Sequence, residues 1–452
     1  MNAVPALSLS PLWQRLQWVF NPVAYLETAQ AQCPDIFSGN SLGFGFTEDD
    51  IVIVNHPQAL QQLLTSDRKQ FTAPGSMNGI LTPLLGSSSV IMIDGDPHRK
   101  RRQLVMPSFH GDRLHSYAEL IRDVTQQVFA NYRPGESFLA REAMQNISLQ
   151  VIFKSVFGLA EGQKYHRLKQ LLGSMADLFR SPLTTSFLFF PQLQTDLGPW
   201  SPWGNFIRRR READELLYQE IAERRANPDS SRTDILSLLM AAKDEAGEPM
   251  TDSELRDELM TLLFAGHETT ATAMSWALYW LHAQPDIKAK LLAELDSLGD
   301  SPDLMSIIRL PYLNAICNET LRIYPVAMLT FPRQLQEPIE MLGYSLKKGT
   351  VVIGCMYLTH QREDLYAHHQ EFNPDRFLEK HYSPYEFIPF GGGVRRCLGE
   401  TLAQFEMKLV LATVISQYQL SLGDKRPEKP QRRGVTLAPA RGVKMVMQGK
   451  RS

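Results

Sequence analysis

The residues best suited to chemistry surround Cys397. The segment reads Phe390-x-x-Gly-x-Arg-x-Cys-x-Gly and ends directly before a predicted helix that starts near Glu400. A cysteine thiolate can bind a metal, and glycines let a backbone pass close to a flat cofactor while offering N–H donors to the sulfur. Such donors hold the thiolate charge and tune a redox potential. The pattern therefore predicts a thiolate ligand to a redox metal rather than an inert buried cysteine.

A second group of polar residues lies in the middle of an apolar stretch, at Ala265-Gly266-His267-Glu268-Thr269-Thr270. Buried polar groups cost free energy unless they are paired, so polar residues inside an apolar stretch indicate a function. A hydroxyl and a neighbouring carboxylate can pass protons to a reacting group. A zinc-protease helix would need a second histidine at position 271, which is alanine, and that alternative is rejected.

The cysteine segment resembles the haem-ligand loop of the cytochromes P450, the haem-thiolate monooxygenases. Two further motifs follow the family's order, so the resemblance covers nearly the whole chain. Glu319-Thr320-Leu321-Arg322 is similar to the family's E-x-x-R element, and Asn373–Phe377 to its P-E-R-F segment, with Asp375 in the usual place of glutamate. The resemblance implies haem b as the cofactor, Cys397 as its iron ligand, and a buried ion-pair triad of Glu319, Arg322 and Arg376.

The resemblance also assigns roles around the haem. Glu268 and Thr269 would be the catalytic residues that deliver protons to dioxygen, with His267 structural. Phe390 and Ala265 would also contact the cofactor. The haem propionates need cationic partners, and the resemblance implies four: His98, Arg102, Arg395 and Arg333. His98 and Arg102 lie on one face of a predicted helix because they are four residues apart.

The implied reaction is the hydroxylation of a hydrophobic, lipid-like substrate of the fatty acid, terpenoid or steroid class. It would use O2 and electrons from a separate ferredoxin- or flavodoxin-type reductant. The aromatic residues of 187–206 (Phe187, Trp200, Trp203 and Phe206 among them) are candidates to cover the substrate or to pack the core, and Arg180 is a candidate for a carboxylate head group. Two alternatives remain open: a peroxide-driven peroxygenase or isomerase, and a non-catalytic haem sensor or electron carrier.

A basic cluster on the cysteine side predicts a docking site for an acidic redox partner. Its members are Arg99, Lys100, Arg101 and Arg396. Charge steering of this kind speeds encounter between proteins. The sequence itself offers no dinucleotide fingerprint, because Gly43-Phe44-Gly45 lacks the third glycine.

The elements that must position these residues are mostly helical. Helices are predicted over 114–132, 142–157, 205–225, 252–284 and 287–298, and strands over 51–54, 90–93 and within 341–357. The helix over 252–284 begins with a Thr251/Glu254 capping box and would extend roughly 50 Å. The fold class is therefore mainly α with a small β-rich lobe, a cytochrome P450-like single domain over 1–452, with the lobe in roughly 36–95 plus 325–360.

Composition limits the remaining possibilities. The chain has 452 residues, a formal net charge of −2 and four cysteines without a CxxC pair. No global charge favours nucleic acid, and neither a disulfide scaffold nor a zinc ribbon is expected. We expect a soluble, cytoplasmic protein. The apolar residues of 12–26 follow helical spacing, but the apolar run is too short to span a bilayer. This helix therefore either packs on the body of the protein or makes a peripheral membrane contact.

Overall fold

Helices dominate the computed structural model, which describes residues 3–42, 50–109, 113–158, 162–178, 184, 187, 193–229, 231–299 and 302–451. In chain order they are α1 Pro11–Phe20, α2 Pro22–Gln32, α3 Pro57–Thr65, α4 Thr82–Leu85, α5 Gly95–Val105, α6 Arg113–Phe129, α7 Ala140–Phe157, α8 Gln163–Leu178, α9 Pro202–Ala226, α10 Ile235–Ala241, α11 Asp252–Ala283, α12 Pro285–Asp296, α13 Leu304–Ile307, α14 Pro311–Ile323, α15 Met356–His360, α16 Arg376–Glu379 and α17 Glu400–Gln417.

The long helix α11 begins and ends where its sequence predicts. Thr251 Oγ1 accepts the Glu254 N–H at 3.3 Å, and Glu254 Oε2 accepts the Thr251 N–H at 2.8 Å, which completes the capping box. The helix runs for 32 residues and stops at Ala283, because Pro285 cannot continue it and instead opens α12. Its length lets one element contact both the core and the cavity described below.

The main core lies where α11 packs against α7 and α17. Phe153, Trp276 and Val410, one from each of these helices, are fully buried in the same apolar cluster. The Trp276 indole N–H donates to the Leu437 carbonyl at 3.0 Å, which satisfies the polar edge of a buried ring and joins α11 to the carboxy-terminal strands.

The strands form small sheets whose members lie far apart in the sequence. Their bounds are β1 Ile36–Ser38, β2 Ile51–Val54, β3 Phe71–Thr72, β4 Ser137–Leu139, β5 Arg333–Leu335, β6 Ile339–Met341, β7 Tyr344–Leu346, β8 Val351–Gly354, β9 Tyr418–Leu422, β10 Pro430–Arg433, β11 Thr436–Pro439 and β12 Lys444–Lys450. The five-stranded sheet has the order β1-β2-β8-β5-β3, with β2 parallel to β8, and a second sheet has the order β4-β12-β9. Hairpins join β6 to β7 and β10 to β11.

Most strand predictions are confirmed, and one is wrong. β2 and the strands within 341–357 form as expected, although Met356 and Tyr357 begin α15. The run Val90–Ile93 is a turn instead of a strand, because the Ser89 carbonyl accepts the N–H groups of Met92 and Ile93 at 2.8 and 3.1 Å. The carboxy-terminal strands β9–β12 were not predicted. The expected fold class, mainly α with a small β-rich part, is confirmed.

Helix α1 is buried on one side and exposes several apolar residues on the other. Its inner face buries Trp18 and Val19, whereas Leu12, Trp13 and Phe20 are exposed. Across the described part of the chain, no helix combines the length and hydropathy needed to cross a bilayer.

Candidate active site

A cavity of about 780 Å³ lies between α11 and the cysteine segment. Residues of 76–81, 326–333 and 389–399 form much of its wall, together with Ala265, Gly266 and Thr269 of α11. Cys397 lines this cavity and is exposed, while the other three cysteines, Cys33, Cys317 and Cys355, are buried. The predicted metal ligand is thus the cysteine that reaches the cavity.

The glycines shape the turn that presents Cys397. Gly393 has a φ of +63°, and a Cβ there would lie 2.8 Å from the Leu64 carbonyl oxygen, so both conformation and space require glycine. Asp67 accepts the Val394 N–H at 2.8 Å, and the Cys397 N–H donates to the Phe390 carbonyl at 3.0 Å. The segment is therefore held at both ends of its turn.

Opposing effects act on the Cys397 thiol. Although Cys397 is open to the cavity, enclosure by the surrounding protein raises the pKa of its thiol, and the Glu400 carboxylate adds to the rise; the Gly399 N–H, donated to the sulfur, and the guanidinium groups of Arg102 and Arg396 oppose it only in part. The thiolate, the form that ligates metals, would therefore need the positive charge of a bound metal in addition to these donors.

Positive charge gathers on one side of the cavity. His98, Arg102, Arg333 and Arg395 all line it. Burial, followed by the charges of Arg395 and Arg102, lowers the pKa of His98 to about 3, and burial and neighbouring arginines lower the pKa of Arg395 to about 10. With this pKa His98 is neutral and can donate one hydrogen bond, whereas the three arginines stay cationic and, crowded beside an apolar cavity, need an anionic ligand. The two propionates of a haem meet that need, and the donor set therefore fits the cofactor.

The three arginines use their donors differently. Arg395 donates to the carbonyl oxygens of Val90 at 2.9 Å and Ile93 at 2.7 Å, and so anchors the turn that replaces the predicted strand. Arg333 donates through Nε to Asp67 at 2.6 Å and through Nη2 to the Gly392 carbonyl at 3.1 Å. Arg102 donates to the Arg396 carbonyl at 2.7 Å.

Asp67 was not identified from the sequence. Its two oxygens join β5, through Arg333, to the cysteine turn, through Val394. A lone aspartate after a short helix carries no motif, and its partners lie about 270 and 330 positions away, so no local signal could have identified it.

The polar residues in the middle of α11 face two different parts of the protein. Thr269 lines the cavity and its Oγ1 donates to the Ala265 carbonyl at 2.5 Å. Glu268 instead contacts α7, where Arg141 donates to Oε1 and the Gln145 amide donates to Oε2 at 2.7 Å. His267 is buried, as expected of a structural residue. Arg141 and Gln145 were missed, because the pairing of two predicted helices cannot be read from either one.

The expected ion-pair triad is present. Arg322 donates to both oxygens of Glu319, at 2.7 and 2.8 Å, and Arg376 Nε donates to Glu319 Oε1 at 3.2 Å. Arg322 also donates to the His360 carbonyl at 2.8 Å and thereby joins α14 to α15. Asp375 contacts Lys290 at 2.8 Å instead of joining the triad.

The aromatic residues expected near the substrate have mixed positions. Trp203 and Phe206 pack in the core, and Phe187 packs against it, whereas Trp200 is 91% exposed. Among the described residues of this region, Gln194 lines the cavity. Arg180 and Gly43-Phe44-Gly45 lie outside the described residues.

The basic cluster is less exposed than the sequence suggested. Arg101 is buried and donates to Glu254 at 2.5 Å and Glu258 at 2.8 Å, so its expected place on a docking surface is wrong. Lys100 is half-exposed and lies 3.5 Å from Asp244, and exposed Arg396 pairs with Glu400 at 2.6 Å.

Comparison with known proteins gives consistent results. A sequence profile described as "Cytochrome P450" matches residues 29–446. A protein of Mycobacterium tuberculosis and Mycobacterium bovis named "Putative cytochrome P450 135B1" is 36% identical over 454 residues, covering 100% of this chain and 92% of that protein. The mycobacterial "Putative cytochrome P450 138" is 31% identical, covering 98% of this chain and 96% of its own.

Solved structures share the fold. Cyanobacterial CYP120A1 with retinoic acid bound superposes with a TM-score of 0.84 at 24% identity, covering 100% of both chains. The haem domain of cytochrome P450DA gives a TM-score of 0.86 at 21% identity, covering 100% of this chain and 98% of its own. The profile match and the mycobacterial relatives extend over the cavity, its exposed cysteine and its ring of cations, and the chain thus belongs to the cytochrome P450 family of haem monooxygenases.

Proposed function

We propose that this P450 hydroxylates a hydrophobic, lipid-sized substrate in the cavity that Cys397 and Thr269 share. The observation that carries the proposal is the apolar lining beside Thr269, formed by Ile80, Ile152 and Leu262 among others. A concave, mostly apolar site with few polar groups is typical of small-molecule pockets. When bound, haem activates dioxygen, and Cys397 supplies its thiolate ligand. Retinoic acid, which the neighbour CYP120A1 binds, is a reasonable first probe.

The chain's own groups would supply protons to the cavity. Thr269 presents its hydroxyl there, fixed by the Ala265 carbonyl. Glu268 is its neighbour in the chain, but its carboxylate contacts Arg141 and Gln145. For Glu268 to serve the cavity, its side chain must leave these two partners. We therefore assign proton delivery at the cavity to Thr269 and proton supply from behind it to Glu268.

Thr269→Ala tests this assignment in the holoenzyme. Removing the hydroxyl should lower product formed per electron consumed, by about 10²-fold at the lower end of general acid–base contributions, with hydrogen peroxide released instead. Thr272→Ala is the matched control, since Thr272 lies on the same helix and is fully buried away from solvent. Unchanged coupling in Thr269→Ala would favour a peroxide-driven enzyme or a haem sensor, neither of which needs this hydroxyl.

Electrons would come from an acidic ferredoxin- or flavodoxin-type partner that docks near Arg99, Lys100 and Arg396. These side chains remain exposed or half-exposed although each has an acidic neighbour. The double reversal K100E/R396E should slow reduction by the partner at low salt and leave reduction by dithionite unchanged. Equal rates with the partner would exclude this docking surface.

The cysteine chemistry and α1 bear on location. Cys33, Cys317 and Cys355 are buried free thiols, which favours the reducing cytoplasm.

We propose that Leu12, Trp13 and Phe20 of α1 make a peripheral contact with lipid, since their side chains are exposed. Sedimentation with phospholipid vesicles tests this contact: the wild type should co-sediment more than the triple variant L12S/W13S/F20S, and equal sedimentation would exclude it.

A further inference from the structure

An acidic hairpin in the connection between α10 and α11 contacts the cations of α5. It comprises residues 243–249, with the sequence Lys-Asp-Glu-Ala-Gly-Glu-Pro, and its two ends meet in a β-bridge. All of its residues are exposed except Asp244, which is half-buried. Asp244 shapes the hairpin from within, because its Oδ1 accepts the N–H groups of Ala246 and Glu248 at 2.9 and 3.0 Å.

Two carboxylates of the acidic hairpin face the cations proposed to receive the redox partner. Asp244 Oδ2, the oxygen not used within the hairpin, lies 3.5 Å from Lys100 Nζ. Glu245 Oε1 lies 3.7 Å from Arg99 Nη1, and Arg99 also lies 3.5 Å from Asp96 of its own helix. Ion pairs between partly exposed side chains are weak, so an incoming protein can separate them.

The acidic hairpin presents to α5 the same groups that an acidic protein would present. Its three carboxylates and one lysine give it a formal net charge of −2. A ferredoxin- or flavodoxin-type partner is attracted by the positive potential over the surface on which it docks. The acidic hairpin lowers that potential, and its carboxylates already contact Arg99 and Lys100.

We propose that the acidic hairpin competes with the acidic redox partner for Arg99 and Lys100, so that the partner displaces it on docking. This inference rests on the docking surface proposed above and adds a requirement to it. A partner must bring enough negative charge to replace both carboxylates, so the acidic hairpin selects against weakly charged reductants.

Stopped-flow reduction of the holoenzyme under carbon monoxide tests the proposal, with an acidic [2Fe–2S] ferredoxin as electron donor. The variant D244N/E245Q removes both charges, and an asparagine oxygen can still accept the two N–H groups that shape the hairpin. At low salt and limiting ferredoxin this variant should be reduced about three- to tenfold faster than the wild type. The advantage should disappear near about 0.5 M salt, where surface charges are screened.

Two further variants separate competition at α5 from a general effect of surface charge. D196N/E212Q is the matched control, because it removes the same charge from two carboxylates that pair with arginines of α8 and α9. It should be reduced at the wild-type rate. In the background R99Q/K100Q, removal of the hairpin charges should bring no gain, because the cations that it would uncover are absent.

Several results would overturn the proposal. Equal rates for D244N/E245Q and the wild type would do so, as would an equal gain in D196N/E212Q or a gain that persists in R99Q/K100Q. If D244N/E245Q is poorly folded, Glu245→Gln alone decides, since it removes one charge and leaves the bonds of Asp244 in place, and the absence of any gain there counts against the proposal. These failures leave the docking surface intact as long as K100E/R396E slows reduction. A K100E/R396E variant reduced as fast as the wild type would instead contradict the docking surface itself, and the competition with it.

Discussion

Two carboxylate–guanidinium clusters, both near the haem cavity, differ in how completely they are enclosed. In the first, Glu319 accepts Arg322, Arg376 and the Asn373 N–H, and the side chains of Glu319 and Arg322 are 0% exposed. In the second, Glu268 accepts Arg141 and Gln145, and the side chains of Glu268 and Arg141 are 17% and 9% exposed. The first cluster has more donors, and its Glu319–Arg322 pair is fully enclosed.

The difference separates a scaffold from a group that can move. A fully enclosed ion pair is costly to break, because either partner alone is a buried uncompensated charge. A partly exposed ion pair is weaker, because water still solvates each charged group and screens the attraction between them. Glu319 therefore holds α14 in place, whereas Glu268 can exchange its partners for water beside Thr269.

Removing Arg322 should have the largest effect. Arg322→Met leaves Glu319 with Arg376 and one backbone donor, and we expect the free energy of unfolding to fall by about 3–5 kcal/mol. Such a loss removes much of a typical domain's stability, so haem content should fall as well. Thermal unfolding and haem absorbance per protein measure both effects.

Arg451→Ala is the control for that substitution. Arg451 makes an equally short bidentate pair with Asp296, at 2.9 and 2.7 Å, but on the surface. Its loss should cost about 0–1 kcal/mol. Similar destabilisation by the two substitutions would mean that burial does not distinguish the clusters.

Glu406 is a third buried carboxyl group, and its hydrogen-bond partner is the Ser148 hydroxyl instead of a guanidinium. Burial raises the pKa of Glu406 to about 8, and a hydrogen bond with Ser148 opposes the shift slightly. The folded state thus keeps a proton that the unfolded chain releases near pH 4.5. Stability from this group is complete below that pH and is lost as the pH rises through 8, by about 1.4 kcal/mol per unit between pH 6 and 8.

Glu406→Gln should remove this pH dependence, because the amide imitates the protonated acid and does not titrate. Denaturant unfolding at pH 6, 7 and 8 compares its slope with that of the wild type. Glu215→Gln, an exposed position on α9, should keep the wild-type slope. If Glu406→Gln and the wild type lose stability in parallel, Glu406 is ionised in the folded protein and has a partner beyond Ser148.

The sequence predicted the parts of this protein that depend on local order. Cys397 and its glycines lie in one short turn whose conformation requires those residues. Helix α11 carries its own start and stop signals, and Glu319 and Arg322 are one helical turn apart. In each case the interacting residues are close in the chain, so spacing alone indicates the contact.

The parts that were missed depend on contacts between distant segments. Asp67 with Arg333 and Arg141 with Glu268 join residues more than 100 positions apart. Val90–Ile93 has the composition of a strand, but among the described residues it pairs with no strand, and it becomes the turn that Arg395 anchors. In the sequence Arg101 resembles a surface cation. In the fold it is buried against Glu254 and Glu258, which lie in the first turns of α11.

The smallest expected effect is also the one that decides what Glu268 does. A double-mutant cycle of Arg141→Gln and Glu268→Gln should give a coupling energy of about 1 kcal/mol, well below that of Arg322 with Glu319. At about 1 kcal/mol, roughly one molecule in six has the pair open at equilibrium, because RT is about 0.6 kcal/mol. That population allows Glu268 to reach water beside Thr269 often enough to supply protons. A coupling near 3 kcal/mol would leave the pair open in under roughly one molecule in a hundred. Glu268 would then belong with Glu319 to the scaffold, and the protons that Thr269 delivers would need another source.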